Sequence, residues 1–268
     1  MRLLRRILLA LAIILAVVFV TMHWIVPVAL SFYAAHKAPA IARVVPIDLK
    51  DHTISTITGK SLSYLGYQFE VPWTDVDETQ TKLYPTDKPV KTMVDLRFRS
   101  GLRLLMSSIP PRSLVNDLPK NMNVTPQAIE SAFGRETMKS DYSFVKTVYD
   151  FTPDKMNHWS FGGSGMNRDE SLLIFKSIIP AKSAETGIFN LQSPGYQGFQ
   201  QGSAELKQDR IILDLYSDEG SVEMIFFEKD YKNPAGVTQP EINRIVQSLR
   251  RASQNPSNEP QIEEVKVQ

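Results

Sequence analysis

The sequence contains no cysteine. That excludes disulfide bridges, thiol nucleophiles, iron–sulfur clusters, cysteine zinc sites and a lipidated-cysteine anchor. Histidine is scarce as well. The four present (His23, His36, His52 and His158) stand too far apart for a compact metal spacing such as HExxH. No metal ligand set, no cofactor motif and no catalytic residue is assigned, and a site built from carboxylates alone stays open. Charge of one sign is also missing, since 30 Lys and Arg face 29 Asp and Glu. Arg2, Arg5 and Arg6 precede an apolar run, which leaves 27 basic residues against 29 acidic ones in the remainder. Such a near-neutral domain lacks the dense positive surface that displaces counterions from nucleic acid, so nucleic acid is not expected as a partner.

Formal charge is absent altogether from Ile7 to Ala35, and the run ILLALAIILAVVFVTMHWIVPVAL fills residues 7–30. About 20 apolar residues suffice to cross a hydrocarbon core roughly 30 Å thick. The expectation is a transmembrane signal anchor over 7–30, with residues 1–6 as a cytoplasmic N-terminus. His23, Trp24 and Tyr33 suit an interfacial zone, and Pro27 falls near the end of the run. Arginines before the run outnumber Lys37 and Arg43 just after it, which orients the following domain outside the cytoplasm. A cleaved signal peptide is the rival reading, with Ala38-Pro39-Ala40 as the small-residue site. Its apolar core would be shorter, about 7 to 15 residues.

The remainder divides into a linker over 31–46, one domain over 47–251 and a polar, Pro-containing tail over 252–268, expected to be disordered. Within the domain, Tyr67 to Val71 alternates apolar and polar residues, as does Val90 to Phe98. Period two is the mark of a strand with one buried face. Arg99-Ser100-Gly101 then turns the chain towards Leu102, Leu104 and Met106. Thr125-Pro126 opens a helix carrying Ile129, Ala132 and Phe133, and Ser140-Asp141 opens another carrying Val145, Val148 and Tyr149. Thr152-Pro153-Asp154 begins a third, short one, and a strand is expected over Leu172 to Ile179. Ile211, Leu213 and Leu215 alternate with Ile212, Asp214 and Tyr216. Ser217-Asp218-Glu219-Gly220 turns the chain into Val222, Met224 and Phe226. Thr238-Gln239-Pro240-Glu241 is a capping box before Ile242, Ile245, Val246 and Leu249 at helical spacing. The fold class these patterns predict is α+β: an antiparallel sheet covered by helices, preceded by one N-terminal transmembrane helix.

That C-terminal meander, closed by the capped helix Glu241 to Arg250, resembles the end of PsbP/Mog1-type domains. Gly66-Tyr67-Gln68-Phe69-Glu70-Val71-Pro72 is similar to their first strand, an aromatic-rich run ending in proline. The resemblance covers some ninety residues in two pieces and leaves out the central helical region. It implies an extracytoplasmic or membrane-associated assembly or binding protein, usually without enzymatic activity. A shared fold does not by itself transfer function.

Several local patterns invite chemistry. Gly162-Gly163-Ser164-Gly165 lacks the second glycine of a G-x-S-x-G elbow, because Met166 stands there, and it lacks the Gly-Lys-Ser/Thr of a phosphate loop. Ser143-Phe144-Val145-Lys146 matches S-x-x-K without the supporting S-D-N and K-T-G elements. His158-Trp159 with Arg168, Asp169 and Glu170 would bind an anion if the groups converged, and otherwise forms a solvated loop. Gly195-Tyr196-Gln197-Gly198-Phe199-Gln200-Gln201-Gly202 reads as a turn into an edge strand, or as a binding surface. The acid pairs Asp75 with Asp77 and Asp169 with Glu170 are solvated carboxylates on this reading. The expectation is a membrane-tethered, non-enzymatic extracytoplasmic domain at the plasma (inner) membrane. Its partners are the lipid bilayer, reached through the N-terminal helix, and an unknown envelope protein or ligand. The alternative is a membrane-anchored hydrolase whose site forms only in three dimensions.

Overall fold

The computed structural model describes residues 13–57, 59–86, 88, 90–157, 168–179, 181, 183–204, 210–228 and 237–252. Eight strands form its central sheet: β1 (Ile47–Asp48), β4 (Lys82–Tyr84), β5 (Met93–Arg97), β6 (Leu102–Ile109), β7 (Ile188–Ser193), β8 (Tyr196–Gln201), β9 (Arg210–Ser217) and β10 (Gly220–Glu228). Their order across the sheet is β1-β7-β8-β9-β10-β6-β5-β4. A second sheet holds β2 (Lys60–Tyr64), β3 (Tyr67–Val71) and β11 (Arg250–Arg251) in the order β11-β3-β2.

Alternation along the strands creates two faces. Leu213, Leu215, Val222, Met224, Leu104, Met106, Val94 and Leu96 all point to one face and are buried there. The second sheet and helix α7 (Gln239–Ser248) cover that face, contributing Phe69, Val71, Ile242, Ile245 and Val246 to the same core. The other face, at the β7–β9 end, carries a helical lobe. This lobe comprises α2 (Ser113–Asn121), α3 (Pro126–Phe133), α4 (Asp141–Asp150), α5 (Arg168–Ile178) and α6 (Ser183–Thr186), packed around Phe133, Phe144, Leu172 and the sheet residue Phe199.

The expected helix boundaries at Thr125, Ser140 and Thr238 hold because each hydroxyl accepts a backbone N–H of the first turn. Glu241 completes the capping box at Thr238. A strap over residues 51–57 is sewn to α7. Asn243 Nδ2 donates to the carbonyls of Asp51 and Thr53 at 2.9 Å each, and Arg244 donates to that of Ser55 at 3.0 Å.

The expectation of a single antiparallel sheet preceded by a transmembrane helix is corrected. There are two sheets, and the larger is mixed, because β1 runs parallel to β7 with Ile47 opposite Phe189. At the N-terminus, no helix among the described residues is long and apolar enough to cross a membrane. Residues 13–20 are α-helical, Thr21–Ile25 is π-helical, and α1 (Val26–Lys37) resumes the α-helix. Val26 N–H reaches back five residues to Thr21 O. Pro27 has no N–H to donate, so the regular four-residue ladder cannot pass through this point. Residues 7–12 of the expected span lie outside the described residues.

Other differences are local. Leu172 to Ile179, expected as a strand, lies mostly within helix α5. Leu172, Leu173 and Lys176 turn inwards at helical spacing while Ile174 and Ile178 face out. Asp169 and Glu170 occupy its first turn, where acids complement the helix dipole. Val90 is exposed, and β5 starts at Met93. β8 is an interior strand rather than an edge, lying between β7 and β9. In the segment 31–46, α1 runs on to Lys37 and a 3₁₀ turn, Ala40–Arg43, buries Ile41 and Ala42 against the helical lobe. Within the tail, residues 253–268 lie outside the described residues.

Candidate functional site

The β7–β8 turn separates two open, largely polar depressions. Pro194 and Gly195 make the two-residue connection, and Gly195 adopts φ +88°, a conformation that favours glycine. On one side of this turn lies a groove of about 930 Å³, bordered by Asp48, His52, Asn190, Gln192, Gln197 and Gln247. On the other lies a cleft of about 460 Å³ between the turn and the start of α4, reaching Arg112, Tyr216 and Asp218. Tyr142, Gln192, Ser193 and Gln197 line both. Tyr142 is fixed by stacking on Phe199, with centroids 5.7 Å apart and planes at 19°. Gln247 Nε2 donates to Gln192 O at 3.0 Å, tying α7 to the turn. Ser193 Oγ is buried and has no hydrogen-bond partner.

Behind Tyr142 the sheet presents a carboxylate pair. Asp214 on β9 stands directly opposite Glu223 on β10, with both side chains on the face that carries the helical lobe. Burial, and after it the charge of Glu223, pushes the Asp214 carboxyl up to about 7, and the amide of Gln201 works against that rise. Burial also raises Glu223, with Arg210 opposing. Gln201 Nε2 donates to Asp214 Oδ2 at 3.3 Å and to Tyr149 Oη at 3.1 Å, and Ser183 Oγ donates to Gln201 Oε1 at 3.1 Å. Burial and the Asp214 charge raise the Tyr149 phenol, so it stays protonated. Beyond this pair the same face carries Asp95, a buried carboxylate gripped by Arg97 and Arg103 at 2.8 and 2.7 Å. Arg103 lies over the Phe227 ring.

The residues flagged by sequence fall into structural roles. Ser143 Oγ shares a hydrogen bond with Ser140 Oγ at 2.9 Å, while Lys146 pairs with Asp150 one helical turn on. The S-x-x-K pattern therefore brings no lysine to its serine. Asp75 accepts from Ser100 N at 2.8 Å and Asp77 from Thr79 N at 3.1 Å, so each holds a turn. Asp169 accepts from Asn157 N at 2.7 Å. His158-Trp159 and Gly162 to Gly165 lie outside the described residues. Among the described residues no group of three or more His, Asp or Glu could hold a metal ion.

Asp48, His52 and Ser193 share one groove, which is the residue set of a hydrolytic triad. The geometry does not assemble one. The Ser193 hydroxyl is bonded to nothing, and Asp48 Oδ1 is taken by Asn190 Nδ2 at 2.9 Å. The Asp214–Glu223 pair escaped sequence reading. The signal available was the second face of β9, Ile212-x-Asp214-x-Tyr216, too apolar for an open surface.

No family model matches the chain, and neither does any curated protein or solved structure. The PsbP/Mog1 resemblance rests on its two segments alone.

Proposed function

We propose that this chain is a membrane-tethered, non-enzymatic module standing outside the cytoplasm, which binds a protein partner or envelope component through the surface around the β7–β8 turn. The observation that carries the reading is the character of that surface. Asn190, Gln192, Gln197 and Gln247 line the groove with amides, beside a Ser193 hydroxyl that no protein group satisfies. Side-chain amides both donate and accept, so they suit the backbone of an extended peptide.

Two features support the tethering. The apolar residues from Ile13 to Val20 are exposed along their helix, and the arginines lie before this run. A tether confines the groove near the membrane and raises its effective concentration for partners held there. The resemblance to PsbP/Mog1-type domains points to the same class of activity.

The test is photo-cross-linking in the native membrane from a benzoylphenylalanine placed at Gln197, with one at Val90 as control. The reading predicts a discrete adduct from position 197, absent from position 90 and lost when Ser193→Trp fills the groove. Turnover of simple ester or amide substrates that Ser193→Ala abolishes would instead establish the hydrolase alternative.

A further inference from the structure

The exposed face of α5 carries two isoleucines, Ile174 at 63% exposure and Ile178 at 72%, one helical turn apart. Their neighbours Phe175 and Ile179 pack in the same apolar cluster as Ala35 and Ala38, at the foot of α1, and Val44 just beyond. α5 also rests against the Ala40–Arg43 turn, and Arg43 is bonded back to the carbonyl of Ala35 at 2.9 Å. α5 is therefore packed in the same cluster as the root of the apolar N-terminal segment. Exposed apolar residues continue up that segment through Tyr33, Met22 and Val17.

We infer that α5 is a second membrane contact, whose Ile174 and Ile178 enter the lipid interface when the N-terminal segment is embedded. The inference rests on the tethered reading above and adds an orientation to it: the helical lobe lies on the bilayer. Two isoleucines presented together on an exposed turn favour an apolar partner, because water gains when apolar surface leaves it. On the tethered reading the bilayer is the occupant that continuity selects, because the exposed apolar N-terminal segment starts at the same cluster. Charge agrees with this. Lys37 and Arg43 are exposed at this corner, and so is Lys155 on the Pro153–Lys155 turn that packs against α1, as anionic headgroups require. Asp154, beside Arg43, is an acidic group facing them, and the exposed Glu185 lies on α6, which packs on the same Ala40–Arg43 turn.

The absence of native cysteine makes single-site labelling clean. A nitroxide is attached to Ile178→Cys, Val17→Cys or Val90→Cys in the full chain, reconstituted in phosphatidylcholine vesicles containing phosphatidylglycerol. Collisions with oxygen and with a water-soluble nickel chelate are then compared. The inference predicts that positions 17 and 178 both favour oxygen and that position 90 favours nickel. Removing phosphatidylglycerol should shift position 178 towards nickel and leave position 17 unchanged. A lipid-like position 17 with an aqueous position 178 would overturn the inference and spare the tether. An aqueous signal from both would overturn the two together.

Discussion

Glu223 stands directly across the β9–β10 ladder from Asp214, two acids on one half-buried face of the same sheet. Burial first, and the facing charge of Glu223 second, raise the Asp214 carboxyl to about 7. The arrangement makes the junction between sheet and helical lobe sensitive to pH, because Gln201 links Asp214 to Tyr149 on α4.

Folding raises the Asp214 pKa from 3.8 to about 7, so the folded state holds this proton longer than the unfolded state. Its cost is absent below pH 4, grows as pH rises towards 7 and is fully present above that. Asp214→Asn keeps an acceptor for Gln201 and removes the charge. The expected result is a variant more stable than wild type by about 1–2 kcal/mol at pH 8, after discounting for partial exposure, with little difference at pH 4.5. Chemical denaturation at both pH values checks it. A stability gap that does not change with pH would show that Asp214 is not the titrating group.

Lys176 is completely buried, and its ammonium bonds to the carbonyls of Tyr149, at 2.7 Å, and Phe151 at the end of α4. Burial, and then Lys155, lower its pKa to about 8, with Asp150 and Asp154 opposing. Because folding depresses this pKa, the cost of the buried charge is relieved as pH rises from about 8 to 10.5. Lys176→Met keeps the volume but takes this donor from both carbonyls, and a loss of about 1–3 kcal/mol is expected at pH 7. Thermal unfolding followed by the circular dichroism of the helices measures it.

Asn243 holds the strap over residues 51–57 through two carbonyls, and its Oδ1 accepts from Gln239 at 3.1 Å. Asn243→Ala should cost about 1–3 kcal/mol. It should also open the strap to proteases before the domain unfolds. Limited proteolysis read by mass spectrometry should place the first cut between residues 49 and 57. A first cut elsewhere would mean that Arg244 and the Ser55 N–H bond to the Pro240 carbonyl secure the strap without Asn243.

Much of the β-structure was legible because its periodicity is strong. Leu213 and Leu215 alternate with Asp214, the turn at Ser217 to Gly220 fixes the register, and Thr238 to Glu241 announces α7. Leu172 to Ile179 is ambiguous in sequence because a short apolar run fits a buried strand or a helix equally well. The acids at 169 and 170 and the lysine at 176 are what distinguish it. β1 contributes only two residues, and its parallel partner β7 lies far along the chain, beyond any local signal. The groove was half visible, as glycines and glutamines from 195 to 202. Its other wall comes from Tyr142, His52 and Gln247, which only the fold brings together.

On the function proposed above, the groove faces outward from the cell and is occupied there. The most direct measurement of this is the reaction of Gln197→Cys with a membrane-impermeant maleimide in intact cells, with Val90→Cys as reference. The account predicts that both positions react without breaching the membrane, and that position 197 reacts several-fold more slowly than it does in the purified chain. Reaction only after the membrane is breached would place the domain on the inner side. Equal rates at position 197 in cells and in the purified chain would show an empty groove, and either result would contradict the account.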